Sequence, residues 1–107
     1  MSSVEESGVD DLLEWVVETD FCDSLEEAGW LTIKADKLIR GWPDRLCFGP
    51  NDRTVIVEFK ASGARKNRKG EKLQRHFRKR FAEMGFEVHL VKGRRDADRL
   101  RDRKSVV

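Results

Sequence analysis

The chain has 107 residues, of which 38% are hydrophobic and 39% charged, with a formal net charge of +2. That length suits one domain, residues 1–107, with a modest core and no room for a second. No apolar run approaches the ~20 residues that span a bilayer, and the acidic start has the wrong sign for a secretory signal. Cys22 and Cys47 lack finger spacing, so a structural zinc site is not expected. The composition points to a soluble, cytoplasmic protein with two reduced core thiols.

Residues 1–8 are polar and expected to fray. From Val9 to about Ala28 the pattern predicts a helix, with a possible break near Asp20. Leu12, Leu13, Val16, Val17, Phe21 and Leu25 recur at three- and four-residue spacing, and Gly29 is a natural stop. Trp15 reads as helix packing. Trp30 to Ala35 alternates as a strand, Asp36–Trp42 reads as a loop, and Pro43 suits the start of a strand over Arg45–Phe48. A turn at Gly49-Pro50-Asn51-Asp52 leads into a third strand, Arg53–Ala61, apolar enough to be central.

A basic loop, residues 62–70, precedes a helix over Glu71–Met84 with Leu73, Phe77, Phe81 and Met84 as its apolar stripe. Phe86–Val91 predicts a fourth strand, parallel to the third because a helix separates them. Arg94–Arg103 reads as a short basic helix, followed by a flexible tail at 104–107. The order is α-β-β-β-α-β-α, an α/β arrangement with a small mixed sheet flanked by helices.

Charge is strongly segregated along this order. Residues 1–29 hold ten acids and no Lys or Arg, whereas residues 60–80 hold ten Lys or Arg and one acid, Glu71. Such asymmetry suits a polyanion-binding face. Arg65, Lys66, Arg68, Lys69, Lys72, Arg75, Arg78 and Lys79 are candidates to contact phosphates, with Lys34 and Arg45 beside them.

The chemistry-bearing stretch is Gly41 to Ala61. Glu58 and Lys60 are two apart on a strand, so they share a face, roughly 6.6 Å apart along the chain. An acid and a base on an apolar strand are costly to bury unless they pair, bind an ion or react. The hairpin brings Asp44 back toward Glu58, and two carboxylates beside a lysine suit a hard divalent cation and an activated water. Glu18 borders the apolar stripe of the first helix, with Glu14 one turn earlier and Glu6 beyond it as alternatives. His76 and His89 have no partner at ligand spacing and read as ordinary residues.

Pro43-Asp44 followed by Glu58-Phe59-Lys60 resembles the PD-(D/E)xK nuclease motif. With GWPDRL, VEFK and the helix residue Gln74, about Glu18 to Lys92 is similar to the VRR-Nuc family of that superfamily. The resemblance implies a restriction-endonuclease-like core. It also implies Mg2+ or Mn2+ held by Asp44, Glu58, a helix carboxylate and the Phe59 carbonyl. Matching Glu18, Phe21, Leu25, Gly29 and Lys34 to the family pattern favours Glu18 as that helix carboxylate. Lys60 would position water and stabilise charge, and Gln74 would orient a water or contact Lys60. Stand-alone relatives of this size look like phage-encoded nucleases that cut four-way DNA junctions as homodimers, so a Holliday junction resolvase is the expected function. A less selective flap, nick or duplex nuclease and a non-catalytic DNA-binding module are the alternatives. The sequence leaves junction preference, metal number, dimer surface and host open.

Overall fold

The structure, a computed structural model, describes residues 3–60 and 70–105, with side chains in the first helix from Glu14 onward. Helix α1 spans Ser3–Glu27 without a break at Asp20, and it already covers much of the stretch expected to fray. Strands β1 (Leu31–Lys34), β2 (Arg45–Phe48) and β3 (Thr54–Lys60) follow, with a 3-10 turn at Ala35–Lys37 inside the expected loop. Helix α2 is Glu71–Glu83, β4 is Glu87–Lys92 and α3 is Gly93–Ser105. The last helix therefore runs into the segment expected to be a tail. Its C-terminal turn is tied down, because Trp30 Nε1 donates to the Lys104 carbonyl at 3.2 Å and Lys104 pairs with Glu87.

The α1 stripe ends where expected. Gly29 takes a φ of +94°, a left-handed conformation that costs glycine little, and Trp30 N–H donates to the Leu25 carbonyl at 2.9 Å. The turn from β2 to β3 places Asn51 and Asp52 at φ 61°, a region these two short polar residues tolerate.

The sheet order is β1-β2-β3-β4. The first two pairings are antiparallel and β3–β4 is parallel, as the helical crossover between them requires. With a neighbour on each side, β3 is buried from Val55 to Phe59. Alternation then splits its side chains between two layers. Val55, Val57 and Phe59 join Val17, Phe21, Cys22 and Leu25 of α1 and Ala97 and Leu100 of α3 in one core. Phe21 meets Phe59 edge-on with ring centroids 5.5 Å apart.

The opposite face carries Ile56, Glu58 and Lys60, and α2 lies over part of it. Here the expectation of a buried α2 stripe does not hold. No α2 residue is fully buried, Leu73 and Met84 are exposed, and only Phe77 and Phe81 pack against Trp42. Trp15 is exposed too, not packed. Among the described residues no helix covers the β1–β2 half of that face: Leu31, Ile33 and Phe48 are exposed, and Leu31 lies opposite Phe48 in the register.

Candidate active site

Pro43 is buried just ahead of β2, and Asp44 is the residue that immediately precedes the strand. The Asp44 carbonyl accepts the Ala35 N–H at 3.0 Å, while its side-chain Oδ2 accepts the Phe59 N–H at 2.8 Å. The second bond staples the Asp44 carboxylate to β3 one residue beyond Glu58. Two segments distant in sequence thus present their acids at one point of the sheet.

Glu58 is 1% exposed. Its Oε2 receives the Arg78 guanidinium at 2.5 Å and lies 3.7 Å from the Lys60 ammonium. Its Oε1 is buried and, among the described residues, has no hydrogen-bond partner. Lys60 donates to Glu71 Oε2 at 2.5 Å and to Gln74 Oε1 at 3.4 Å. Arg78 also reaches Glu71 Oε1, at 3.2 Å. Glu58, Lys60, Glu71 and Arg78 therefore form a closed ring of alternating charge between β3 and α2.

Glu58 and Lys60 of this ring border a cavity of about 230 Å3 lined also by Glu14, Asp36, Asp44, Phe59 and Gln74. Four carboxylates face one small volume. Burial, with Glu18, Asp36 and Glu58 nearby, pushes the Asp44 pKa up to about 7 against the opposing Phe59 hydrogen bond. Burial likewise raises Glu58, with Arg78 and Lys60 holding it back. The Lys60 hydrogen bond keeps Glu71 below its ordinary range. One Asp36 oxygen is also buried without a hydrogen bond, the Lys34 ammonium standing 3.5 Å away.

A hard divalent cation suits this donor set on chemical grounds, since all of it is oxygen and Glu58 Oε1 is buried without a partner. Among the described residues, however, no three acidic, His or Cys groups are drawn close enough to hold one ion as they stand.

The structure brings Asp44, Glu58, Phe59, Lys60 and Gln74 together. Glu18 is not among the residues lining the cavity, although its charge is felt at Asp44. It is buried, accepting Lys34 Nζ at 2.8 Å and Arg45 Nε at 2.7 Å, and Glu14 is the α1 carboxylate at the cavity. Lys34 and Arg45 are accordingly occupied by Glu18, and Arg78 by Glu58 and Glu71, so none of these three is presented as a free phosphate contact. Lys72, Arg75 and Lys79 are exposed on α2. Arg65, Lys66, Arg68, Lys69 and the side chain of Glu6 lie outside the described residues. His76 stacks edge-on against Phe77 and His89 meets Glu87, both away from the cavity.

Sequence reasoning missed Asp36, Glu71 and the inward role of Arg78. Glu71 carried a signal, as the one acid among ten bases over residues 60–80. Asp36 carried none, because an aspartate in a loop is ordinary.

No family model matches the sequence, and no curated protein matches it. A solved structure described as a VRR_NUC domain does match in fold, with a TM-score of 0.66 and 27% identity. The match covers 83% of this chain and 94% of that one.

Proposed function

We propose, on the premise that the chain belongs to the VRR-Nuc family, that it is a metal-dependent DNA endonuclease hydrolysing phosphodiester bonds. The observation that carries this reading is the Glu58 carboxylate, buried with one unpartnered oxygen in a cavity it shares with Asp44, Lys60 and Gln74.

Mg2+ or Mn2+ would be held by Asp44, Glu58 and the Phe59 carbonyl, with Glu14 in place of Glu18 as the helix carboxylate, and would supply a bound water of lowered pKa. Lys60 is oriented by Glu71 and Gln74 so that its ammonium stands beside Glu58, where it offsets negative charge developing on the phosphoryl oxygens. Gln74 has an amide –NH2 left to direct a water, since its Oε1 faces Lys60. Lys72, Arg75 and Lys79 hold the backbone through contacts that carry no sequence information, so binding is shape-dependent and salt-sensitive.

The substrate proposed is a branched duplex, a four-way junction, cut by a homodimer. One domain supplies one site, and symmetric cutting needs two. The bare apolar half of the sheet, with Leu31, Ile33 and Phe48 exposed, supports a second copy covering it.

Cleavage of a fluorescent four-way junction, a flap and linear duplex with Mg2+, Mn2+ or EDTA tests this. Paired, symmetric nicks in the junction are expected, abolished by EDTA and by Lys60→Ala, with junction affinity of the variant within a few-fold. Equal cutting of all three DNAs would replace the resolvase reading with a relaxed nuclease. Binding without cutting would leave a DNA-binding module.

A further inference from the structure

We infer that Arg78 is a positioning residue for the catalytic carboxylate: it pins one oxygen of Glu58 and thereby turns the other into the cavity. This inference rests on the proposed cation site and adds to it a part of the machinery contributed by α2.

The argument starts from the two unequal oxygens of Glu58. Oε2 is taken by the Arg78 guanidinium at 2.5 Å, while Oε1 is buried and has no partner. A carboxylate buried to 1% exposure ordinarily satisfies both oxygens, since each unmet acceptor is costly. An arrangement that saturates one oxygen and leaves the other bare, on a residue that lines a polar cavity, is that of a ligand held ready. Carboxylates that bind metals are themselves held by hydrogen bonds from neighbours, which fix their orientation.

Arg78 is suited to the task in ways a lysine is not. Its side chain is 15% exposed, and its rigid fork reaches two acids at once, Nη1 to Glu58 and Nη2 to Glu71 at 3.2 Å. Glu71 in turn holds Lys60. One guanidinium thus sets the spacing between Glu58 and Lys60, whose charged atoms stand 3.7 Å apart. Arg78 itself is not among the residues lining the cavity.

Mn2+ binding, followed by the electron paramagnetic resonance of the free ion, tests this on the full chain without DNA. Arg78→Met is expected to weaken Mn2+ about 10–100-fold, the usual effect of removing a group that orients a ligand. Guanidinium ion at millimolar concentrations should restore most of that affinity. A purely structural role for Arg78 would not produce that recovery. Arg78→Lys, which keeps the charge but cannot reach both acids, should remain weakened. If Arg78→Met binds Mn2+ as tightly as wild type or more tightly, Arg78 only competes with the ion and the inference is overturned. Should Arg78→Met fail to fold, Arg78→Lys decides alone, and wild-type affinity there overturns it. Asp44→Asn separates the two readings: unchanged Mn2+ affinity in that variant sinks the cation site itself, whatever Arg78 does.

Discussion

Replacing Asp44 by Asn is expected to stabilise the protein at mildly alkaline pH while removing an acid from the cavity. The Asp44 pKa is raised from 3.8 to about 7, chiefly by burial. The folded state therefore holds a proton that the unfolded chain releases near pH 4. Stability linked to this group is fully present below the unfolded pKa and is lost as pH rises toward the folded one, so the window runs from about pH 4 to pH 7. The loss across that window is on the order of 4 kcal/mol, an upper value because the carboxyl is partly exposed to screening solvent. Asparagine keeps the shape and an acceptor for the Phe59 N–H but has no charge to desolvate. Urea unfolding without divalent ions should place the variant's midpoint about 1 M or more above wild type at pH 8, given slopes of roughly 1–3 kcal/mol per molar. The two midpoints should converge at pH 4. Added Mg2+ or Mn2+ should narrow the pH 8 gap by stabilising wild type. A variant no more stable than wild type at pH 8 would refute the argument that a buried charge strains this site.

Other substitutions separate neighbouring roles. Glu14→Gln should weaken Mn2+ binding, since Glu14 is the α1 carboxylate that lines the cavity. Glu18→Gln should cost about 1–3 kcal/mol by removing the carboxylate of Arg45 and the nearer of the two beside Lys34, yet leave Mn2+ affinity near wild type; the reverse pattern in paired denaturation and titration experiments would return Glu18 to the site. Gly41→Ala should destabilise by about 1–3 kcal/mol and loosen α2, because Gly41 has a φ of +86° and an added Cβ would lie 2.4 Å from Leu73 Cγ. Faster amide exchange in α2 checks this. Cys22 and Cys47 are buried and free, their thiols pushed up to about 11 and 12, so neither should react with a thiol reagent until the protein unfolds.

The local pattern of this chain was legible because it obeys simple periods. The α1 stripe ends at Gly29, the alternation in β3 sends Val57 and Glu58 to opposite layers, and the crossover helix makes β4 parallel. Even Asp44 and Glu58 were predictable neighbours, since a hairpin of known length returns one strand beside the other. Spacing was less informative for helices. Glu14 and Glu18 sit one turn apart near the same side of α1, and periodicity treats them alike. Only the docking of α1 against β1 and β2 decided between them. It set Glu18 against Lys34 and Arg45 and left Glu14 at the cavity.

The basic helix shows the same division. Its composition announced a cationic surface, and Lys72, Arg75 and Lys79 are exposed there. Arg78, of the same residue type and one position from Lys79, faces inward to Glu58, while Glu71 stands against Lys60. Sequence by itself determined the elements, their order and the strand-borne pair Glu58 and Lys60, because those follow from contacts local along the chain. Which acid meets which base was decided by tertiary structure alone. Ion pairs form across elements, and their partners depend on how each helix is rotated against the sheet, a quantity that residue spacing does not contain.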